Sequence, residues 1–230
     1  MTVSSFIADK KHRGAKGQTP LKSRLNVERC ELGWSQRLVE ANHYLHKAVD
    51  RRAMPFAYSI NLDGEPIGCL IMAVPHWTKQ KGLFIAQRQW SPDSEELTQW
   101  QVLTISRLWI SPLVQRRQPS GHASNIGSCA IAKVLKRVQR DWIEHHPPVF
   151  PELPYHLRLI IAHADTSVGH TGKVYQAAGF SLFGQTEKTR PRKSTRGYTN
   201  GAVKNIWIKR LPNPNWEWNQ YYEQLEIKYA

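Results

Sequence analysis

HLRLIIAHADTSVGHTGKVYQAAGF, residues 156–180, decides how the rest of the chain is read. HLRLIIAHAD is a short apolar run of the kind found in a strand covered on both faces. It stops at Asp165, a lone carboxylate at the end of that run. The glycine-containing loop TSVGHTG turns the chain, and HTGKVYQAAGF reads as a short helix carrying Tyr175 and closed by Gly179. Ligands in open α/β sheets gather beyond the carboxyl ends of the strands, which makes Asp165 a candidate for chemistry. The same residue type at the start of a loop also fits a turn or N-cap aspartate.

Outward from this stretch the elements alternate. Towards the C-terminus, FSLFGQTEK and NIWIKRL read as two strands separated by a basic loop. Towards the N-terminus, IGSCAIAKVLKRVQRDWIEHH is the strongest helix, with Ile126, Ala130, Val134, Leu135, Val138 and Trp142 at helical spacing. Ser124 or Asn125 serves as its N-cap, and Pro147-Pro148 ends it. Before it come the loop VQRRQPSGHASN and the strand QVLTISRLWI, stopped by Ser111-Pro112. FAYSINLDGEPIGCLIMAVP reads as a hairpin turning at Asp63-Gly64, and its second arm is apolar enough to need cover on both faces. LNVERCEL reads as a strand. WSQRLVEANHYL reads as a helix with Trp34, Leu38, Val39 and Ala41 on one face, fraying near His43. Trp77, Trp90 and Trp100 mark residues 76–100 as packed rather than a disordered linker. Residues 1–22 read as a mobile basic arm and 23–230 as one α/β domain, with no internal repeat.

Composition narrows the function classes. A net charge of +14 expects a polyanion, nucleic acid being the usual one, although a basic surface also serves solubility alone. One basic block is Lys10, Lys11, Arg13, Lys16, Lys22 and Arg24. A second is Lys188, Arg190, Arg192, Lys193 and Arg196, followed by Lys204, Lys209 and Arg210. No apolar run is long enough to span a membrane, and MTVSSFIADKKHRGAKG lacks the apolar core of a signal peptide. Cys30, Cys69 and Cys129 are scattered with no CxxC, which suits reduced thiols in a cytoplasmic protein. His43, His46, His163 and Asp165 have no tight ligand spacing, so no metal site is expected.

The order strand, helix, hairpin, strand, loop, long helix, strand, short helix, strand, strand resembles the GNAT (N-acetyltransferase) fold over Leu25 to Leu211. VYQAAGF, Val174 to Phe180, is similar to that family's short helix, whose tyrosine lies near the coenzyme A sulfur; the matching residue is Tyr175. The resemblance implies a mixed central sheet flanked by helices. It also implies an acetyl-CoA or related acyl donor held where the loop QRRQPSGHASNIGS enters the long helix, with Gly127 as the last loop glycine. Asn125 stands where the family has glycine, and His122 where it has arginine or glutamine.

Within that fold, NHYL (Asn42–Leu45), SRLWI (Ser106–Ile110), HAD and YQAAGF together resemble the bacteriophage Mom DNA-modification proteins. Those proteins convert adenine in DNA to its N6-carbamoylmethyl form, which protects the DNA from restriction. The resemblance places functional roles on His43, Tyr44, Arg107, Asp165 and Tyr175, with Ser124 or Ser128 as the serine of the cofactor loop. It makes double-stranded DNA the partner, which gives the block Lys188, Arg190, Arg192, Lys193 and Arg196 a use on phosphates. Arg107, in an apolar strand, needs a partner: a phosphate, or Asp165. Two other readings stay open: an acetyltransferase acting on a protein or small amine, and a non-catalytic nucleic-acid-binding protein of the same fold.

Overall fold

In chain order the elements are α1 (Leu21–Arg24), β1 (Leu25–Cys30), α2 (Leu32–Asn42), β2 (Phe56–Leu62), β3 (Glu65–Ala73), β4 (Val102–Ile110) and α3 (Pro112–Gln115). They continue with α4 (Ile126–Leu135), α5 (Val138–His145), β5 (Leu159–Asp165), α6 (Lys173–Ala177), β6 (Ser181–Gln185), β7 (Arg192–Ser194), β8 (Gly197–Thr199) and β9 (Lys204–Arg210). They come from a computed structural model that describes residues 20–75, 99–115, 125–146, 156–186, 192–194, 197–199 and 203–211. The expected arm up to residue 19 lies outside these, as do Trp77, Trp90, His122, Ser124, Pro147, Pro148, Lys188, Arg190 and Arg196. Leu21 and Lys22, read as part of that arm, already belong to α1.

The first four strands pair in sequence order, each antiparallel to the last. The β2–β3 hairpin turns at Asp63-Gly64, both at positive φ (54° and 87°), the backbone of the two-residue turn whose twist matches its strands. Arg24 pairs with Asp63 and braces that turn from outside. β4 then pairs with β5 in parallel, β5 with β9 and β9 with β6 antiparallel, giving the order β1-β2-β3-β4-β5-β9-β6. This is an α/β fold, a mixed central sheet flanked by helices, the arrangement that the GNAT resemblance implied.

Period-2 alternation sorts each strand between two cores. Leu70 and Met72 of β3 face a core shared with Ala130, Ile131 and Val134 of α4, Trp142 of α5 and Tyr175 of α6. Cys69, Ile71 and Ala73 face α2 through Leu38 and Val39. β3 is therefore covered on both faces, as its apolar run requires. Ala41, expected on the packed face of α2, is exposed.

Two further expectations are corrected. The long helix divides at Lys136-Arg137, where Arg137 leaves helical geometry (φ −124°). Its side chain there donates to Val27 O of β1 (3.0 Å) and to Asp141 Oδ2 (2.6 Å), tying the start of α5 to the sheet. The basic loop between β6 and β9 contains a two-stranded ribbon, β7–β8, absent from the sequence reading because each strand has only three residues.

Two irregularities position the site. Ile71 opposes Arg107 and Met72 opposes Ile105, so Ser106 is an extra residue, a β-bulge. Before it, Leu103 and Ile105 face the α4 core; after it, Leu108 and Ile110 do, which puts Arg107 and Trp109 on the α2 face. The second irregularity is the β4–β5 seam. The two strands pair only from Val102 with Leu159 to Ile105 with Ala162. Beyond that point β4 continues to Ile110 and β5 to Asp165 unpaired with each other, leaving a seam through the sheet.

Candidate active site

Of the residues singled out in the sequence, His43 and Tyr44 after α2, Arg107 on β4 and Asp165 at the end of β5 lie around this seam. α2 ends at Asn42, and His43 caps it in an extended conformation (ψ 142°) with its N–H on Val39 O. That bend sends Tyr44 away from the helix axis. The His43 and Tyr44 rings lie 4.5 Å apart, and the His170 ring meets Tyr44 edge-on at 5.0 Å. His43 is buried, whereas Tyr44 keeps 36% of its surface exposed, so one face of this aromatic group stays open. Burial, then the Arg107 guanidinium, lowers the His43 pKa to about 4, so its imidazole is neutral at pH 7.

Arg107 does not pair with Asp165. Its Nε and Nη2 donate to Lys47 O (3.3 Å each) and its Nη1 to Ser106 O (2.6 Å). The bulge sends it to the α2 face, where those carbonyls are the nearest acceptors, and it pins the His43–Lys47 segment to the sheet. Burial lowers its pKa, opposed by the neighbouring Tyr44 phenol. No acidic side chain neutralises it among the described residues, and a half-buried guanidinium without a counterion is an attractive seat for an anion.

Asp165, 3% exposed, ends β5 on the face that carries His163. Its Oδ1 accepts from Ser167 N (3.1 Å) and Ser167 Oγ (2.6 Å), capping the turn Thr166–Val168. The turn-aspartate role is therefore real, but it engages one oxygen. Oδ2 stands 3.9 Å from Lys204 Nζ, beyond hydrogen-bond reach. Burial and then the Asp165 carboxylate push the Tyr44 phenol up, with Arg107 opposing. His163, next along the same strand face, is lowered to about 4 by burial and then by Lys204.

Tyr175 lies on the other side of the sheet, buried among the α4-side core, with its ring 5.8 Å from Phe180. Burial raises its pKa and the Tyr44 phenol adds to the shift, so it feels the aromatic group across the seam and stays protonated at neutral pH.

The start of α4 meets this region from the α6 side. A Cβ on Gly127 would stand 2.8 Å from Val174 Cγ2, so glycine is needed for α4 and α6 to pack. Asn125 is the N-cap but makes no side-chain cap bond, and Ser128 Oγ donates back to Asn125 O (3.1 Å). The first backbone N–H to find an acceptor inside the helix is that of Cys129, on Asn125 O (2.9 Å). The Gly127 and Ser128 N–H groups are thus left over at the positive end of the helix dipole, and the residues present fit a phosphate group.

His170, Ser167 and Lys204 were not assigned site roles from sequence. Lys204 was counted only as part of a basic block, yet it lies opposite Asp165 in the β5–β9 register. His170 sits inside the glycine-containing loop, its N–H on Asp165 O (3.1 Å), and only that fold-back brings it to Tyr44. Among the described residues no group of three His, Cys, Asp or Glu side chains is placed to hold a metal ion, and no helix is long and apolar enough to cross a membrane.

A model of the Mom protein family matches residues 24–226. No curated protein sequence matches the chain. Among solved structures, the chain is similar to the ribosomal L7/L12 alpha-N-protein acetyltransferase RimL (13% identity, covering 83% of this chain and 96% of that one, TM-score 0.47). It is also similar to a GNAT-family acetyltransferase from Desulfovibrio desulfuricans (16% identity, 81% and 98% covered, TM-score 0.46). A third is a GNAT-family acetyltransferase from Elizabethkingia anophelis with acetyl-CoA bound (12% identity, 82% and 99% covered, TM-score 0.42).

Proposed function

Because the chain belongs to the Mom protein family, we propose that it is a DNA-modifying transferase that converts adenine to N6-carbamoylmethyladenine and so shields the DNA from restriction. The observation that carries this reading is the half-open Tyr44 ring, held between His43 and His170 and within electrostatic reach of both Asp165 and Arg107. An N6 amine inside a duplex is paired and stacked, so the target base must be extruded to react. The exposed face of Tyr44 offers it a stacking surface beside a buried carboxylate.

The adenine amine is a weak nucleophile because its lone pair is delocalised into the ring. As the N6–carbon bond forms, the amine proton passes to a base, and Asp165 Oδ2, the oxygen not engaged by the turn, accepts it. His43, neutral at pH 7, adds no second positive charge beside Arg107. Tyr175, held protonated, can give its proton to a thiolate where a thioester is cleaved at its carbonyl carbon, a bond separate from the one formed at N6. An acyl-CoA or related acyl carrier fits here through its phosphates, which the Gly127 and Ser128 N–H groups would hold. The carbon that bonds N6 is the one beside its carbonyl, so that bond forms as a leaving group departs from the same carbon with its electron pair. An acetyl group carries no nitrogen, so the amide nitrogen of the product has its own source.

The test is mass spectrometry of nucleosides digested from plasmid DNA in cells expressing the wild-type chain or Asp165→Asn. A deoxyadenosine heavier by a carbamoylmethyl group, present with wild type and lost in the variant, is the expected result. Unmodified DNA from soluble wild-type protein would overturn the reading. Acetylation of a protein or polyamine by the purified chain would then favour the acetyltransferase alternative.

A further inference from the structure

Beyond the last β4–β5 pair, Ile105 with Ala162, β5 carries two polar residues, His163 and Asp165. They are two apart and so share one face of the strand, the face of Ile161, away from the core that holds Ala162 and Ala164. Asp165 already has its turn to cap and a proton to accept. His163 has no such task. His43, His46, His145 and His146 each place a ring nitrogen in a hydrogen bond. The half-buried His163 ring has no hydrogen-bond partner among the described residues. A histidine kept in a strand for packing alone would be expected to find one, because burying a polar group unpaired costs free energy.

Burial and then Lys204 keep the His163 ring neutral, so one nitrogen donates and the other accepts. The same ammonium stands 3.9 Å from Asp165 Oδ2 and, behind burial and Arg107, acts on His43. His163, Asp165 and His43 are thus all within electrostatic reach of one cation, and His43 stacks on the half-open Tyr44 ring.

A base on Tyr44 with its amine at Asp165 shows a second polar atom beside that amine. On the major-groove edge of adenine this atom is N7, an acceptor next to the N6 donor. Guanine shows two acceptors there, thymine an acceptor and a methyl group, and cytosine a donor without an N7. A protein donor next to a protein acceptor therefore reads adenine alone. Asp165 is the acceptor, and a neutral imidazole supplies the donor. Same-face neighbours on a strand stand roughly 6.6 Å apart, a span that N6 and N7 bridge with a hydrogen bond of about 2.9 Å at each end.

We propose that His163 selects adenine: a ring N–H donates to N7 of the extruded base while Asp165 Oδ2 accepts from N6. This inference rests on the DNA reading above and adds the residue that chooses the base.

The experiment measures binding of the purified full-length chain, by anisotropy, to a short fluorescein-labelled duplex with one adenine opposite an abasic site. A second duplex carries 7-deazaadenine there, which replaces N7 by a C–H group and keeps the amine. Unlabelled, fully paired duplex in excess suppresses binding to the phosphates alone. Wild type should hold the adenine duplex at least about fivefold more tightly than the 7-deazaadenine duplex, because the latter leaves a donor unpaired. His163→Leu should lower the adenine affinity to the 7-deazaadenine level, so that the ratio falls to about 1. His163→Gln, whose amide can still donate to N7, should keep a preference for adenine. The urea midpoint of His163→Leu should be at or above wild type, since an imidazole without a partner gives way to an apolar side chain.

If His163→Leu weakens both duplexes equally and keeps the ratio, the histidine only shapes the site and the proposal is overturned. A wild-type ratio near 1 overturns it as well, while the DNA reading stands on the plasmid nucleosides. If wild type does not prefer the unpaired adenine over the paired competitor, selection by His163 also falls. Unmodified plasmid DNA from soluble wild-type protein is the separate result that would remove the DNA reading itself.

Discussion

Among the described residues two aspartates are buried, and they are held differently. Asp141 on α5 has no exposed surface. Arg137 Nε reaches its Oδ2 at 2.6 Å and Arg137 Nη2 its Oδ1 at 3.3 Å, while Arg140 adds a second guanidinium at 3.6 Å. The backbone continues the same network, with Arg29 donating to Asp141 O and Arg137 to Val27 O. The Asp141 carboxylate is matched by two guanidiniums within the protein, and the network ties α5 to β1. Asp165 is almost as buried, yet one oxygen caps a turn and the other meets only a distant lysine. A buried carboxylate whose partners close around it stabilises packing. One whose second oxygen meets only a lysine at 3.9 Å, where β4 and β5 have stopped pairing with each other, is available for chemistry.

That contrast is open to direct attack. The largest expected effect is on activity: Asp165→Asn keeps an oxygen for Ser167 but cannot accept the amine proton, so modified deoxyadenosine should drop by about 10²–10⁴-fold. Its urea midpoint should stay near wild type. Asp141→Asn should do the reverse, costing about 2–4 kcal/mol of stability in urea unfolding because Arg137 loses its counterion. Modification per folded molecule should be retained. Stability loss at Asp165 with activity loss at Asp141 would invert the comparison and sink it.

A smaller effect tests how the Asp165 side is built. Gly172 (φ +80°) leads into α6, and a Cβ there would stand 2.0 Å from Trp207 Nε1. Gly172→Ala should cost about 1–3 kcal/mol and shift Tyr175, lowering both the unfolding midpoint and modification.

The smallest single effects concern acid. His146, packed on Trp142 in the Asp141 region, and His43 and His163 in the site all have their pKa lowered to about 4, by burial first. The unfolded chain takes up these protons near pH 6.5 and the folded one does not. The contribution is complete above about pH 7 and is lost as the pH falls towards 4. Urea midpoints measured between pH 7 and pH 5 should therefore decrease. His146→Gln should flatten the decrease in part, and His43→Gln should flatten it by a further increment if the two regions act independently.

Much of this architecture was legible before folding. The Asp63-Gly64 turn, the doubly apolar β3, the strand ending at Asp165 and the short helix with Tyr175 are local patterns, and the structure places each within about three residues of where the pattern puts it. His43 at the frayed end of α2 was legible for the same reason. The Arg107–Asp165 pair was not to be had: the arginine turned to backbone carbonyls and the aspartate to Ser167 and Lys204. The division of the long helix was equally hidden, because it depends on Arg137 reaching a carbonyl on β1.

By itself the sequence determined the longer strands and helices, their order, and which residue types end them, because propensity, period and turn chemistry act over a few neighbours. Tertiary structure alone decided what meets what. One extra residue at Ser106 carries Arg107 to the opposite face of the sheet, and that residue is extra only relative to the register of β3. The seam exists because β4 and β5 stop pairing after Ile105, and Lys204 faces Asp165 because two distant strands align. Register and pairing are relations between segments far apart in the chain, so no local reading of either segment contains them.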